Sequence, residues 1–472
     1  MGDMTASVQQ PSDWRGQAAA MIRIAVTCAV VAILLNIAFI AVLAITLQVT
    51  SDARITAQLK KGLDHGVLDR ASYPPSPYGH VGHGYDMFTD CVAFGTNLNN
   101  TDKSILHRIA ASPYVADGIA PPRGSCEMLT DALAKGSAKA DLDYLRFWHG
   151  YQVYTRAILS ITSIDNLRRL TAVLFYGVLL WLVHQLARTF GRWTWPIVLL
   201  PFFLVSDFLV TPIIVSHALP LICIFLSAIL VSVLLERTPN SSMMMLPVLV
   251  FSTGAVTSFF SFLLNPPMAP ALIAFLVIAA HSGRSSNETI NSVFYGGTLA
   301  VLWLAGYVVT WMLKWLFAAA VLGPETVLND LTSSVAKYDM LDMSQALGFL
   351  TATWRNLSVN GIFLFYMLGS IAAAIAAMMW VMRFRGGRRQ DVWDFLAMLT
   401  PLLVIVVWAE ANRSHSAWHT GYVSRSFVLF SVIPLLAAAL VWRRTSSRLA
   451  RTDVGNAAPV VGMMPAARTK SE

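Results

Sequence analysis

An all-α polytopic membrane protein of about ten transmembrane helices is what this sequence predicts. Three observations carry the prediction. Of 472 residues, 56% are hydrophobic and only 13% charged, more apolar surface than a water-soluble chain of this size can hide. Apolar runs of about 18–25 residues recur, each matching a bilayer core of about 30 Å at 1.5 Å per helical residue. The basic residues behind the net charge of +8 fall beside the ends of those runs, a pattern of membrane orientation that excludes nucleic-acid binding.

Residues 1–20 read as a disordered cytoplasmic N-terminus and 21–442 as the transmembrane region. The first apolar run is long, with no small-residue cleavage site after it, so it reads as a retained helix and not a signal peptide. Spans are expected at 22–47, 168–187, 195–213, 217–235, 244–264, 267–282, 293–318, 359–382, 392–409 and 425–442. Residues 443–472 read as a basic cytoplasmic tail, loose after Arg451. Arg15, Arg23, Arg188, Arg192, Arg237, Arg284, Arg383, Arg385, Arg388, Arg389, Arg443, Arg444 and Arg448 all fall on one side. The positive-inside bias makes that side cytoplasmic, with both termini on it.

The other face carries a loop at 48–167, a second at 319–358 and a short one at 410–424. The first is too long to be a mere connection. His65, His80, His83, His107, His149, His217, His415 and His419 lie on or near this face; only His184 and His281 lie at the inner end. Cys28 and Cys223 fall within spans and read as packing residues. Cys91 and Cys126 share the long loop, where an oxidising compartment allows a disulfide.

That loop contains "YGHVGHGYDMFTDCVAFGTNLNN". Asp86 and Asp90 are four apart and share a helix face. Such a pair binds a divalent cation or supplies a general base; alternatively Asp86 caps a helix and Asp90 faces solvent. "SILHRIAASPYV" and "CEMLTDALAKG" have the spacing of amphipathic helices lying on the membrane surface. Before the second span, Tyr144, Phe147, Trp148, Tyr151 and Tyr154 suit an interfacial aromatic belt. Beside them Arg146, His149 and Arg156 suit lipid head groups or an anionic substrate.

Lys314 lies about 21 residues from the inner end of its span, about 32 Å along the axis. It either snorkels to head groups or meets a lipid phosphate. The last loop gathers Glu410, His415 and His419, with Arg425 at the mouth of the final span. The His-x3-His spacing lacks the acidic residue of a zinc helix. Phosphate binding by Arg425, with the histidines as donors, is the better expectation.

Five blocks, in order, resemble the GT-C superfamily of integral-membrane glycosyltransferases, in a little-characterised bacterial branch. They are "DMFTDC" from Asp86, "FWHGYQVYTR" from Phe147, "FSFLLNPP" from Phe260, Gly306 to Trp315, and Asn412, His415, His419 with Arg425. Ser261 stands where the branch has Asp, and Cys91 and Cys126 are not part of its pattern. The resemblance implies a GT-C-like fold in the bacterial inner membrane. It also implies inverting transfer of a sugar from a polyprenyl-phosphate donor to an envelope glycan, glycolipid or protein acceptor at the extracytoplasmic face. Asp86 is then the base, with Asp90 its neighbour, and a divalent cation, magnesium or manganese, is allowed on that pair. Lys314 and Arg425 hold the donor phosphate, while Arg146, His149, Tyr151, His415 and His419 line the cavity.

The competing expectation is a transporter or flippase of a lipid-linked substrate, which should show two related halves and ionisable groups at mid-bilayer. No internal repeat is visible, and Asp207, Pro212 and His217 form the one broken-looking segment, near the outer surface. A membrane scaffold with a sensing ectodomain leaves the polar blocks unexplained.

Overall fold

The first apolar run folds as one helix, α1 (Trp14–Val49), beginning before the expected end of the disordered N-terminus. In the computed structural model the described residues are 14–72, 86–98, 103–115, 125–136, 140–204, 208–237, 244–263, 265–283, 285–339, 348, 350–358, 361–419 and 423–456. His80, His83, Asp207 and Arg284 lie outside them.

Among the described residues the chain is a helical membrane protein. The long loop folds into α2 (Asp52–Asp64), α3 (Met87–Gly95), α4 (Ile105–Ala111), α5 (Ser125–Lys135) and α6 (Tyr151–Leu159). A two-stranded antiparallel ribbon, Tyr114–Val115 with Ala140–Leu142, joins it together. Next come α7 (Ile164–Phe190), α8 (Thr194–Leu204), α9 (Val215–Arg237), α10 (Met245–Phe260), α11 (Met268–His281) and α12 (Ser286–Leu322). The last part holds α13 (Pro324–Asp339), α14 (Thr351–Ser358), α15 (Gly361–Phe384), α16 (Arg389–Leu399), α17 (Leu402–Ala411) and α18 (Arg413–Trp418). It ends in α19 (Leu429–Asn456), entered through the 3-10 turn Ser424–Val428. That final helix continues well into the stretch expected to be a loose tail.

Each expected span overlaps helix, though that at 195–213 is helical only to Leu204 before a 3-10 turn and that at 392–409 is divided between α16 and α17. Among the described residues seven stretches are long and apolar enough to cross a bilayer. These are α1, α7, α9, α12, α15, the α16–α17 pair and the final turn with α19. The other three, α8, α10 and α11, have 11, 16 and 14 residues, short of the roughly 20 a perpendicular crossing takes. On α1, Ile22, Val26, Val30, Ile33 and Ile37 are exposed, as lipid-facing side chains must be.

Small residues let the central helices touch. A Cβ on Gly254 of α10 would lie 2.0 Å from the Trp303 carbonyl oxygen, and one on Gly306 of α12 2.0 Å from that of Phe251. This reciprocal backbone approach is the small-residue packing that brings membrane helices together.

At one end of the bundle, arginines of α19 close the carboxyl ends of its neighbours. Arg443 Nη1 donates to the Arg188 and Thr189 carbonyls of α7 at 3.2 and 2.7 Å. Arg444 donates to Ala279 O of α11 at 2.9 Å and to Ser282 Oγ at 2.7 Å. Positive charge there meets the negative end of each helix dipole. The long loop lies at the opposite end.

The two surface helices of the long loop are amphipathic, but their apolar faces meet protein. α4 packs on α1 and α12, and α5 packs on α2 and α3. Ile109, Ala110, Ala111, Leu129 and Leu133 are all buried. The expectation that these helices lie on the bilayer is corrected by those contacts.

Candidate functional site

Two helix amino-termini face each other beneath the long loop. Asp86 is the N-cap of α3: its Oδ1 accepts from Thr89 N at 3.3 Å and its Oδ2 from Thr89 Oγ1 at 2.7 Å. Four residues on, Asp90 caps a different helix. Its Oδ1 accepts from Ser216 N (3.0 Å) and Ser216 Oγ (2.8 Å), and its Oδ2 from Val215 N (3.3 Å), at the start of α9. The cap satisfies amides that no carbonyl within α9 can reach. Asp90 is fully buried; burial raises its pKa, with Arg168 and the Ser216 hydrogen bonds working the other way. Both carboxylate oxygens of Asp90 are thus taken up in capping α9.

By fixing the first turn of α9, Asp90 aims the next residue. His217 Nε2 lies 2.9 Å from Asp86 Oδ2. On the other side of the ring, Arg425 Nη1 lies 2.7 Å from His217 Nδ1. A guanidinium only donates, so Nδ1 is the acceptor, while Nε2 stands at ion-pair distance from the Asp86 carboxylate without the alignment of a hydrogen bond. The result is a carboxylate–imidazole–guanidinium chain drawn from the long loop, α9 and the entry to α19. Asp86, His217 and Arg425 are 3%, 0% and 2% exposed.

The "FSFLLNPP" block runs past this chain. Leu263 and Asn265 have φ of 66° and 55°, left-handed conformations that only a well-determined surrounding maintains outside glycine. Asn265 Oδ1 accepts from Ser426 Oγ at 3.3 Å, one residue beyond Arg425. Its buried Nδ2 makes no hydrogen bond among the described residues. Phe262 stacks on Tyr151 at 4.9 Å and meets His149 edge-on at 5.5 Å.

The "FWHGY" block docks the loop onto the helices. Trp148 Nε1 donates to Thr310 O at 2.9 Å, and Gly150 N to Phe259 O at 2.9 Å. A Cβ on Gly150 would lie 2.4 Å from the Phe259 ring, so glycine is needed there. His149 Nδ1 is 2.6 Å from Tyr151 Oη, and Nε2 is 3.0 Å from the Tyr144 carbonyl. The carbonyl accepts a hydrogen bond from Nε2–H, leaving Nδ1 to accept one from the tyrosine hydroxyl. Burial, with Lys314 and Arg146 nearby, pulls the His149 pKa down to about 3. His149 and Tyr151 therefore brace the loop, correcting their placement in a ligand cavity.

Lys314 is fully buried. Its ammonium donates to the Ile109 carbonyl at 3.0 Å and to that of Ala110, in the last turn of α4, and lies 5.6 Å from the Trp148 ring centroid. It does not snorkel, and its ammonium is committed to the carbonyls of α4. Arg146 lies 3.9 Å from Asp330 of α13 and 5.3 Å from the Tyr144 ring.

Glu410 Oε1 caps α14 through Thr353 N at 2.8 Å and Thr353 Oγ1 at 2.7 Å. The His415 and His419 rings are 4.6 Å apart. Burial, reinforced by His419, lowers the His415 pKa to about 3. Cys91 and Cys126 are bonded, with Cα atoms 5.0 Å apart, which pins α3 to α5.

A divalent cation does not fit the Asp86–Asp90 pair, because the carboxylates turn to different hydrogen donors. Among the described residues no three of His, Cys, Asp and Glu come together as a metal-binding group. Sequence reasoning missed His217 and Asn265 as site members. The first stood among the outer histidines and the second inside a quoted block, but neither position revealed its spatial neighbours. No protein family, no curated protein and no solved structure matches the chain.

Proposed function

We propose that this chain is an inverting membrane glycosyltransferase, moving a sugar from a polyprenyl-phosphate donor to an acceptor hydroxyl at the face of the long loop. That face is extracytoplasmic in this reading, as the arginine distribution implies. The observation that carries it is the Asp86–His217–Arg425 chain. It joins a carboxylate and a guanidinium from two of the five blocks that resemble GT-C enzymes.

In the proposed reaction Asp86 takes the acceptor proton as the acceptor oxygen bonds to the anomeric carbon. The bond from that carbon to the phosphate oxygen breaks, and its electron pair stays on the leaving polyprenyl phosphate. Arg425 offsets that charge, since a guanidinium forks onto phosphate oxygens. His217 holds Asp86 in place and transmits the pull of Arg425. Asn265 Nδ2 supplies a neighbouring donor. No step uses a metal.

Purified protein given a labelled polyprenyl-phosphate sugar and envelope acceptors tests this. Asp86→Asn is expected to lower transfer by about 100-fold or more, with elution and thermal unfolding unchanged. Full turnover by Asp86→Asn would remove it from the chemistry. Movement of the intact lipid-linked sugar across vesicles, without transfer, would establish the transporter reading instead.

A further inference from the structure

At the arginine-rich end of the bundle, α15 gives way to α16 through the turn "RGGR" (385–388). The Val381 carbonyl accepts from both Arg385 N (3.0 Å) and Gly387 N (3.2 Å), so the chain reverses at once. Gly386 has φ of 61°, and a Cβ on Gly387 would lie 2.7 Å from Met382 Sδ. The reversal returns the chain as α16, and α15 and α16 each pack against α19. Between them lies a groove of about 540 Å³ lined by Ile375, Met378, Met379, Met382, Val392, Phe395 and Leu396, with Arg383 at its rim.

The nine residues from Ile375 to Arg383 cover about 12 Å along the helix, so the groove runs from the interface into one leaflet. Its walls are apolar, and three are methionines, whose unbranched side chains adapt to a flexible chain. Its mouth is cationic. Arg383 and Arg389 are exposed and make no ion pair with an acid among the described residues. Arg385 lies over the stacked Trp380 and Trp442 rings, at 4.9 and 5.5 Å from their centroids. The nearby carboxylates pair elsewhere: Asp391 with Arg448, and Asp394 at 3.8 Å from Arg444.

We infer that this groove holds one acyl chain of an anionic phospholipid, its phosphate on the Arg383–Arg389 turn. Apolar walls fix the chain and uncompensated guanidinium groups select the head group, because each basic residue near a membrane surface contributes about 1 kcal/mol toward anionic lipid. The inference is independent of what the opposite face catalyses.

Full-length protein in detergent, incubated with phosphatidylglycerol carrying a diazirine in its acyl chain, tests the site. Labelling is expected to concentrate on the 375–396 peptides, above the lipid-exposed face of α1. Excess phosphatidylglycerol should remove it while phosphatidylcholine does not. Arg383→Gln should reduce the preference for the anionic lipid about five-fold, and Leu396→Trp should block labelling without changing elution. Labelling no stronger than on α1, or removed equally by both lipids, would overturn the proposal.

Discussion

The Lys314 ammonium is held by carbonyls of a seven-residue helix and by the face of Trp148, with no acidic side chain paired to it among the described residues. Those carbonyls belong to the last turn of α4, where intrahelical donors run out. Removing the side chain leaves them without a partner in a site from which water is excluded. Lys314→Ala is therefore expected to lower stability by about 1–3 kcal/mol and leave donor affinity unchanged. Thermal unfolding in detergent, paired with donor titration, checks this; weaker donor binding with unaltered unfolding would return Lys314 to the site. Asp90 obeys the same logic, its charge spent on the first amides of α9. The alternative reading of the pair is half met: Asp86 caps α3, but Asp90, expected to face solvent, is buried. The four-residue spacing could not tell that Asp90 would cap a distant helix, α9, and that Asp86, the cap of its own, would meet His217.

At the level of elements, the disulfide between α3 and α5 encloses a span of 35 residues. By the chain-entropy argument a loop of that length contributes about 3–4 kcal/mol. Cys91→Ser is expected to lower the unfolding midpoint and to loosen α3, so transfer should fall through misplacement of Asp86. Thiol labelling located by peptide before and after reduction checks the bond: Cys91 and Cys126 should react only after reduction, and labelling of either in unreduced protein would contradict it. The helices themselves were legible, since apolar runs and amphipathic periods depend on local sequence. Their partners were not. The period that marks α4 and α5 as amphipathic is the same whether the apolar side meets lipid or protein. Likewise the span expected at 244–264 folds as a helix of 16 residues, short of a perpendicular crossing.

Across the whole molecule, the reciprocal glycines make α10 and α12 a single unit. Gly306→Val would drive new atoms into the Phe251 carbonyl, and is expected to cost about 1–3 kcal/mol or more, measured as a fall in the unfolding midpoint. An unchanged midpoint would mean that the helices part easily. The division into two ends was legible in the sequence, because arginines mark one and polar blocks the other. How the ends are tied was not. Trp148, Gly150 and Lys314 fasten one portion of the long loop to the α10–α12 pair, while Asp90 fastens another portion to α9. The loop is thus a tie-bar bolted at two places, and the Asp90 bolt, four residues from Asp86, sets the gap across which Asp86 meets His217. Insertions or deletions inside that bar would detune the machine by misalignment, even with every polar residue of the site left in place.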